Sequence, residues 1–463
     1  MFFNKALSGV FTTLQGSQLY INMASGVATS LTAAIILAVT YPIYLQRLGY
    51  EQYGLWLLLA TVLTFSQIGN LGIAQAVARQ VAEAYGQSDS RAVQECVTTA
   101  VCTLAFTGSL VFAMVLFGNH IIVTQLGLNA ANTAIAHRYL PYIGLLSLYV
   151  FVVDAINAAL AGLGRMDLCN YSQLGSQALA AASSILLLNF GFGLTALFIG
   201  NAVAYLTLHL ASAYYSKQLL GVPLISLRAF SFARLKRLVG FGSALTGGAV
   251  AAMLINPFNK LMLARYAGLA NIPVYDLAFT LSMRARNIFD SSQRAIVPEV
   301  SRAFAIDSNR GLVLAKDVNR RSMRLLIATS PAYVLVALIA TPALRLWLRS
   351  NFDPSSPLAL RIVIVGMFLS LLGMPAYYAL IGLGRGSAIL ISNVLQSVAN
   401  VLIILFFLAL YSRVSVNIVL LATSVGMAVS TTYVVLTLRC LTRPDKLTVE
   451  KIGSEVSLEA RRK

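Results

Sequence analysis

Charge is what this sequence has least of. Only 11% of its 463 residues are charged, against roughly 25% in a soluble globular chain. Acids are the scarcer sign, with 16 Asp+Glu against 34 Lys+Arg, and histidine (3), tryptophan (2) and cysteine (4) are rare. So little charge excludes a water-soluble enzyme and a disordered chain. So few cysteines exclude a secreted scaffold stapled by disulfides. Of the histidines, His120 and His137 are expected outside the membrane and His209 stands by itself in an apolar run, so no metal set forms. There is no Walker loop, HExxH or CxxC motif. No catalytic constellation, metal or cofactor is expected, and ATP hydrolysis is excluded.

What is abundant is apolar surface: 58% of residues are hydrophobic and the mean hydropathy is +0.77. A helix crosses the hydrocarbon in about 20 apolar residues. Twelve such runs fall near 20–45, 53–78, 94–118, 139–162, 169–190, 194–216, 239–265, 273–300, 323–346, 358–381, 387–410 and 417–439. They are too long, and too unalternating, for barrel strands. The expected class is an all-α integral membrane protein with twelve transmembrane helices. Residues 1–18 mix apolar and polar positions, unlike a cleavable signal, and are expected at the interface.

The net charge of +18 is read as loop charge rather than a nucleic-acid footprint. With the N-terminus inside, the outer segments hold only Arg47, Arg138, Arg265, Arg345, Arg349, Arg361 and Arg413. The inner segments hold most of the rest, concentrated at 217–238, 302–324 and 439–463. The positive-inside rule then predicts both termini cytoplasmic. Cys96, Cys169 and Cys440 fall at cytoplasmic helix ends and Cys102 inside span three, so free thiols are expected.

The chain looks duplicated. Gly162-Leu163-Gly164-Arg165 stands between spans four and five, and Gly382-Leu383-Gly384-Arg385 between spans ten and eleven, 220 residues later. A span rich in amides and hydroxyls follows each: Asn170, Ser172 and Gln173 in one half, Ser392, Asn393 and Gln396 in the other. Six spans is an even number, so the halves enter the membrane with the same orientation. Two parallel six-helix bundles are one transporter design, with the substrate held between them near the midplane. The expected divisions are 1–216 for the first bundle, 217–238 for a basic cytoplasmic connector, 239–440 for the second bundle and 441–463 for a charged tail. Each GLGR is read first as a tight turn whose glycines permit a sharp reversal and whose arginine anchors at the headgroups.

Ionisable groups at bilayer depth are expensive, roughly 2.5–3.5 kcal/mol each on insertion scales, and span eight concentrates them. Asp276, Arg284, Arg286, Asp290, Arg294 and Glu299 lie on it. At about 100° per residue, Arg284, Arg286, Asn287, Asp290, Ser291 and Arg294 share one face. Asp290 stands four residues from both Arg286 and Arg294 and can pair with either. Arg284 has no such partner on its own helix. One reading is an ion-pair network clamping span eight to its neighbours. The favoured one is an anion site, because arginine presents a planar donor fork and stays charged at any depth. Asn256, Asn259 and Lys260 flank Pro257 on span seven and are candidates for the same cavity, though a packing kink explains them equally well. Asp154 on span four is a candidate for proton or cation coupling, or for an ion pair. Asn22 and Ser25 on span one suit sugar recognition or interhelical glue.

Tyr41-Pro42-Ile43-Tyr44-Leu45, followed by Arg47-Leu48-Gly49-Tyr50-Glu51-Gln52-Tyr53-Gly54-Leu55-Trp56, resembles the opening of the polysaccharide transporter family. These are Wzx-type flippases of the multidrug/oligosaccharidyl-lipid/polysaccharide (MOP) exporter superfamily. Val274-Tyr275-Asp276-Leu277-Ala278 and Val297-Pro298-Glu299-Val300-Ser301-Arg302 resemble its seventh and eighth spans. The resemblance implies a MATE/MOP-like fold and a place in the bacterial inner membrane. It implies movement of an undecaprenyl-diphosphate-linked oligosaccharide, such as an O-antigen unit of lipopolysaccharide, to the periplasmic leaflet. Alternating access through a cationic central cavity would carry it, with Arg284, Arg286 and Lys260 meeting the diphosphate. Membrane lipids, a polysaccharide polymerase and a chain-length regulator are the implied partners. The alternative is a MATE-like drug or organic-cation antiporter. Such cation binders place a carboxylate in the first span, and span one here has none. A membrane polymerase or ligase would need a long outer loop, and the longest outer segment is only about twenty residues, 119–138.

Overall fold

The computed structural model describes residues 18–64, 72–226, 229–293 and 296–442. Residues 1–17, the tail from 443 onward and Arg294 lie outside the described residues. Every regular element among the described residues is helical. The first unit comprises α1 (Gln18–Leu59), α2 (Ile73–Gly86), α3 (Ser90–Phe117), the short α4 (Asn119–Gln125), α5 (Ala130–Gly162), α6 (Met166–Asn189) and α7 (Leu194–Leu220). Then come α8 (Phe232–Tyr266), α9 (Asn271–Gln293), α10 (Ile296–Ile306), α11 (Ser308–Ala328), α12 (Ser330–Leu348), α13 (Ser356–Gly382), α14 (Gly386–Tyr411) and α15 (Val416–Leu441). The chain divides into two compact units, 1–246 and 247–463, with the division inside α8. Residues 217–238 hold the end of α7, a left-handed turn at Gly221 and the first turns of α8.

Within the described residues, each expected span coincides with one or more helices. The first two are carried by α1, whose backbone turns at Gly49 (φ 72°, ψ 170°), and by α2. Among the described residues, eight helices qualify as spans by length and composition alone. α9 does not, because Arg284, Arg286 and Asp290 dilute its apolar content. Large apolar side chains point outward, with Phe117 84% and Met114 70% exposed. In water that surface would aggregate, and against lipid tails it is solvated. Inside, small and β-branched residues let helices approach closely. Val77, Val81, Cys96, Val97, Ala155 and Ala159 form the core of the first unit. Val300, Ala315, Ala376, Ala379, Leu380 and Val434 form a like core in the second. All four cysteines are free.

The two GLGR segments are the same device built twice. Gly164 and Gly384 have φ of +82° and +71°, a conformation that costs an L side chain about 1–2 kcal/mol. Gly162 lies against the carbonyl of Ala78 and the side chain of Val81 on α2, and Gly382 against Val297 and Val300 on α10. A Cβ at either would push into that helix. One glycine of each motif thus serves packing and the other serves the turn. In the first unit the turn is also tied to α1. The Asn22 side chain donates to Gly164 O at 3.2 Å and accepts from the Asp167 N–H at 3.0 Å. Asn170 Nδ2 donates to Ser25 Oγ at 2.9 Å. Asn22 and Ser25 are thereby interhelical glue. Arg165 grips the buried Asp167 with two hydrogen bonds of 3.0 Å, which raises the guanidinium pKa above its ordinary value.

Candidate functional site

The candidate residues of the second unit fall into two clusters. The first is built on α9, α13 and α14. Arg284 is exposed, and Arg286, two positions on, is half-buried. The Arg286 Nε is buried and has no hydrogen-bond partner. Around it lie Asp290, Tyr378 and Tyr377, all near enough to act on its charge. Tyr378 Oη donates to Asp290 Oδ1 at 2.7 Å, across 88 residues of sequence. Tyr377 is hydrogen-bonded by Asn393 of α14. Asp290 acts on the Arg286 charge along its own helix. Its tyrosine partner comes from α13, where the hint in the sequence is a Tyr-Tyr pair just after Pro375 in an otherwise apolar run.

The second cluster joins α8, α9, α14 and α15. Asn259 is fully buried. Its Nδ2 donates to Tyr275 Oη (3.1 Å) and Thr423 Oγ1 (2.9 Å), and its Oδ1 accepts from Asn400 Nδ2 (2.8 Å). Thr423 Oγ1 in turn donates to Asn400 Oδ1 at 3.0 Å. Such a closed ring satisfies every polar atom that apolar surroundings would penalise. Beside it, Lys260 Nζ meets Asp276 Oδ1 at 2.7 Å, both side chains being largely buried. These facts change the expectation for span seven. Asn259 and Lys260 face helices of their own bundle, and Asp276 offsets the lysine charge. Asn256 is half-buried, and its Oδ1 is unpartnered.

Asp154 belongs to the first unit. It is half-buried on α5, and its carboxylate acts electrostatically on the hydroxyl of Tyr205 on α7. Nearby on the same two helices, Tyr149 Oη and His209 Nδ1 are 2.7 Å apart, and Ser212 Oγ donates to Asn157 Oδ1 at 3.2 Å. No group of three or more His, Cys, Asp or Glu suited to a metal occurs among the described residues.

The pattern of the polysaccharide biosynthesis protein family matches residues 21–304, more than half of the chain. The chain belongs to this family. Its curated relatives include a Shigella flexneri protein named "Putative O-antigen transporter", 19% identical over 369 residues that cover 79% of this chain and 85% of the relative. Solved structures with the same fold include an inward-facing multidrug resistance MATE family transporter of the MOP superfamily. It has a TM-score of 0.72 and 16% identity, with 89% of this chain and 95% of that one covered. The lipid II flippase MurJ, in an inward closed conformation, matches with a TM-score of 0.67 and 13% identity, over 89% of this chain and 87% of that one. The family member described here is thus a multi-pass membrane protein with the twelve-helix MATE/MurJ fold.

Proposed function

We propose that the protein moves an undecaprenyl-diphosphate-linked oligosaccharide unit from the cytoplasmic to the periplasmic leaflet of the bacterial inner membrane. The mechanism is alternating access through a cationic central cavity, with both termini in the cytoplasm. The observation that carries this reading is the guanidinium pair on α9. A buried donor left without a partner costs about 1–3 kcal/mol, and the Arg286 Nε is such a donor. A diphosphate oxygen would complete it. Arg284, exposed two positions earlier and about 160° round the helix from Arg286, would meet a different part of the anionic head group with its own fork. Asp290, held by Tyr378, lies near enough to act on the Arg286 charge. Asn256 is left to contact the sugar. Arg294, on the same helix face in the sequence, belongs to the proposed set as an extension of the cationic path. No bond is made or broken: the lipid tail stays in the bilayer while the head group crosses.

The relative named for O-antigen and the fold shared with a lipid II flippase both support a lipid-linked saccharide over a free solute. The multidrug reading draws on the same fold. It is disfavoured by a first span whose sequence has no Asp or Glu before Glu51, and by arginines on α9 that would repel an organic cation. The test is Arg284→Ala and Arg286→Ala in cells that depend on this protein for surface polysaccharide. The expected outcome is loss of the polysaccharide with the protein still present in the membrane. Normal polysaccharide in both variants would remove the pair from the site.

A further inference from the structure

The two halves repeat one hairpin and charge it differently. In the first half, Arg79 on α2 pairs with Glu83 at 2.9 Å, and Arg91 on α3 with Glu95 at 3.6 Å. Asp89 caps α3 by accepting from the Ala92 N–H at 2.9 Å. In the second half, Asp307 caps α11 in the same way, accepting from the Asn309 N–H at 3.0 Å. Beyond the caps the halves diverge. After Glu95, α3 continues without a charge. α11 instead carries Arg310, Lys316, Arg320, Arg321 and Arg324, all exposed. At about 100° per residue they fall within one arc of roughly 140°. The opposite side of α11 is buried through Gly311, Ala315 and Leu326. The one acid in this stretch, Asp317, pairs with Arg321 at 2.7 Å. Among the described residues, Arg320 and Arg324 have no acidic partner. The fold does not require these cations, because its first copy is built without them.

The position of the face says what it meets. From Leu325 onward the exposed side is apolar, through Ile327, Val334 and Leu338. The hydrocarbon boundary therefore falls near Leu325. Arg320, Arg321 and Arg324 lie within about a turn and a half of it, at headgroup level. Val313 is exposed among the same cations and offers apolar contact.

We propose that this face of α11 is a binding site for the phosphate headgroups of anionic glycerophospholipids in the leaflet on its side of the membrane. Arg320 and Arg324 stand one turn apart, so their side chains project about 5–6 Å from each other and can hold one phosphodiester between two forks. Arg321, steadied by Asp317, borders the same site. The site is separate from the α9 cluster and does not depend on what the protein transports.

Native mass spectrometry of the full-length protein in neutral detergent, with phosphatidylglycerol and phosphatidylcholine offered together, tests this. Near a membrane surface each cation contributes about fivefold to anionic-lipid affinity. The intact protein should retain phosphatidylglycerol in preference by about tenfold or more. Arg320→Gln with Arg321→Gln and Arg324→Gln should bring the ratio close to one, while the corresponding three lysine substitutions should keep most of it. Arg79→Gln with Arg91→Gln, in the first hairpin, should leave it unchanged. Should the triple glutamine variant not fold, Arg320→Gln with Arg324→Gln keeps the Asp317–Arg321 pair and should still lose about tenfold or more. A ratio unmoved by the α11 variants would overturn the proposal, as would an equal fall in the first-hairpin variant. Loss of added polyprenyl diphosphate with phosphatidylglycerol retained would also overturn it, by reassigning the face to substrate.

Discussion

At the residue scale, the membrane interior separates charges that are satisfied from charges that are waiting. Lys260 and Asp276 satisfy each other at 2.7 Å. Breaking a buried pair from one side strands the other charge, at a cost of about 3–5 kcal/mol, whereas replacing both with apolar groups is close to neutral. Lys260→Met should therefore lower thermal stability in detergent sharply, and Lys260→Met combined with Asp276→Leu should recover most of it. A double variant as unstable as the single one would assign the pair a role beyond mutual neutralisation. This pairing was not legible in the sequence. The two residues are 16 apart on different helices, and nothing in their own neighbourhoods marks them as partners. The same holds for Asn259, whose partner Thr423 lies 164 residues away. What could be read was the chemical oddity of each group at bilayer depth. Asp154 remains the candidate for coupling transport to an ion gradient. Asp154→Asn should slow uptake driven by a pH gradient in vesicles several-fold while leaving gradient-independent binding unchanged, and an unchanged rate would make Asp154 structural.

At the element scale, the GLGR turns were the most legible feature of the chain. A glycine-rich reversal between two apolar runs, recurring at a fixed offset, dictated a turn, and Gly164 and Gly384 supply the left-handed backbone. The second use of the motif, contact of Gly162 with α2 and of Gly382 with α10, depends on which helix lies behind and could not be read locally. Gly384→Ala should cost about 1–2 kcal/mol through the backbone alone. Gly382→Val should cost more, because the added side chain meets Val300 and the Val297 carbonyl. Thermal melting of the two variants ranks the effects, and a larger loss at Gly384 would contradict the packing argument. α9 illustrates the opposite limit of legibility. Its length and arginine-bearing face mark it as an amphipathic membrane helix, yet composition by itself leaves it out of the qualifying spans.

At the scale of the whole molecule, the proposed orientation can be checked with the thiols already present. Cys440 is exposed at the end of α15, while Cys96 and Cys169 are buried. A membrane-impermeant maleimide should label Cys440 in inside-out vesicles and leave it unlabelled in intact cells stripped of their outer membrane. The reverse pattern would invert the topology. The polarity of α9 also bears on how the protein is made. Four ionisable groups, Asp276, Arg284, Arg286 and Asp290, would each oppose partitioning from the translocon into lipid by roughly 2.5–3.5 kcal/mol. A solitary α9 could not enter. Lys260, on the preceding α8, carries the countercharge for Asp276, and Tyr378, on the later α13, carries the hydroxyl for Asp290. Entry of α9 into lipid is therefore cheapest in the company of these neighbours, so the order of helices along the chain bears on when each can leave the insertion machinery.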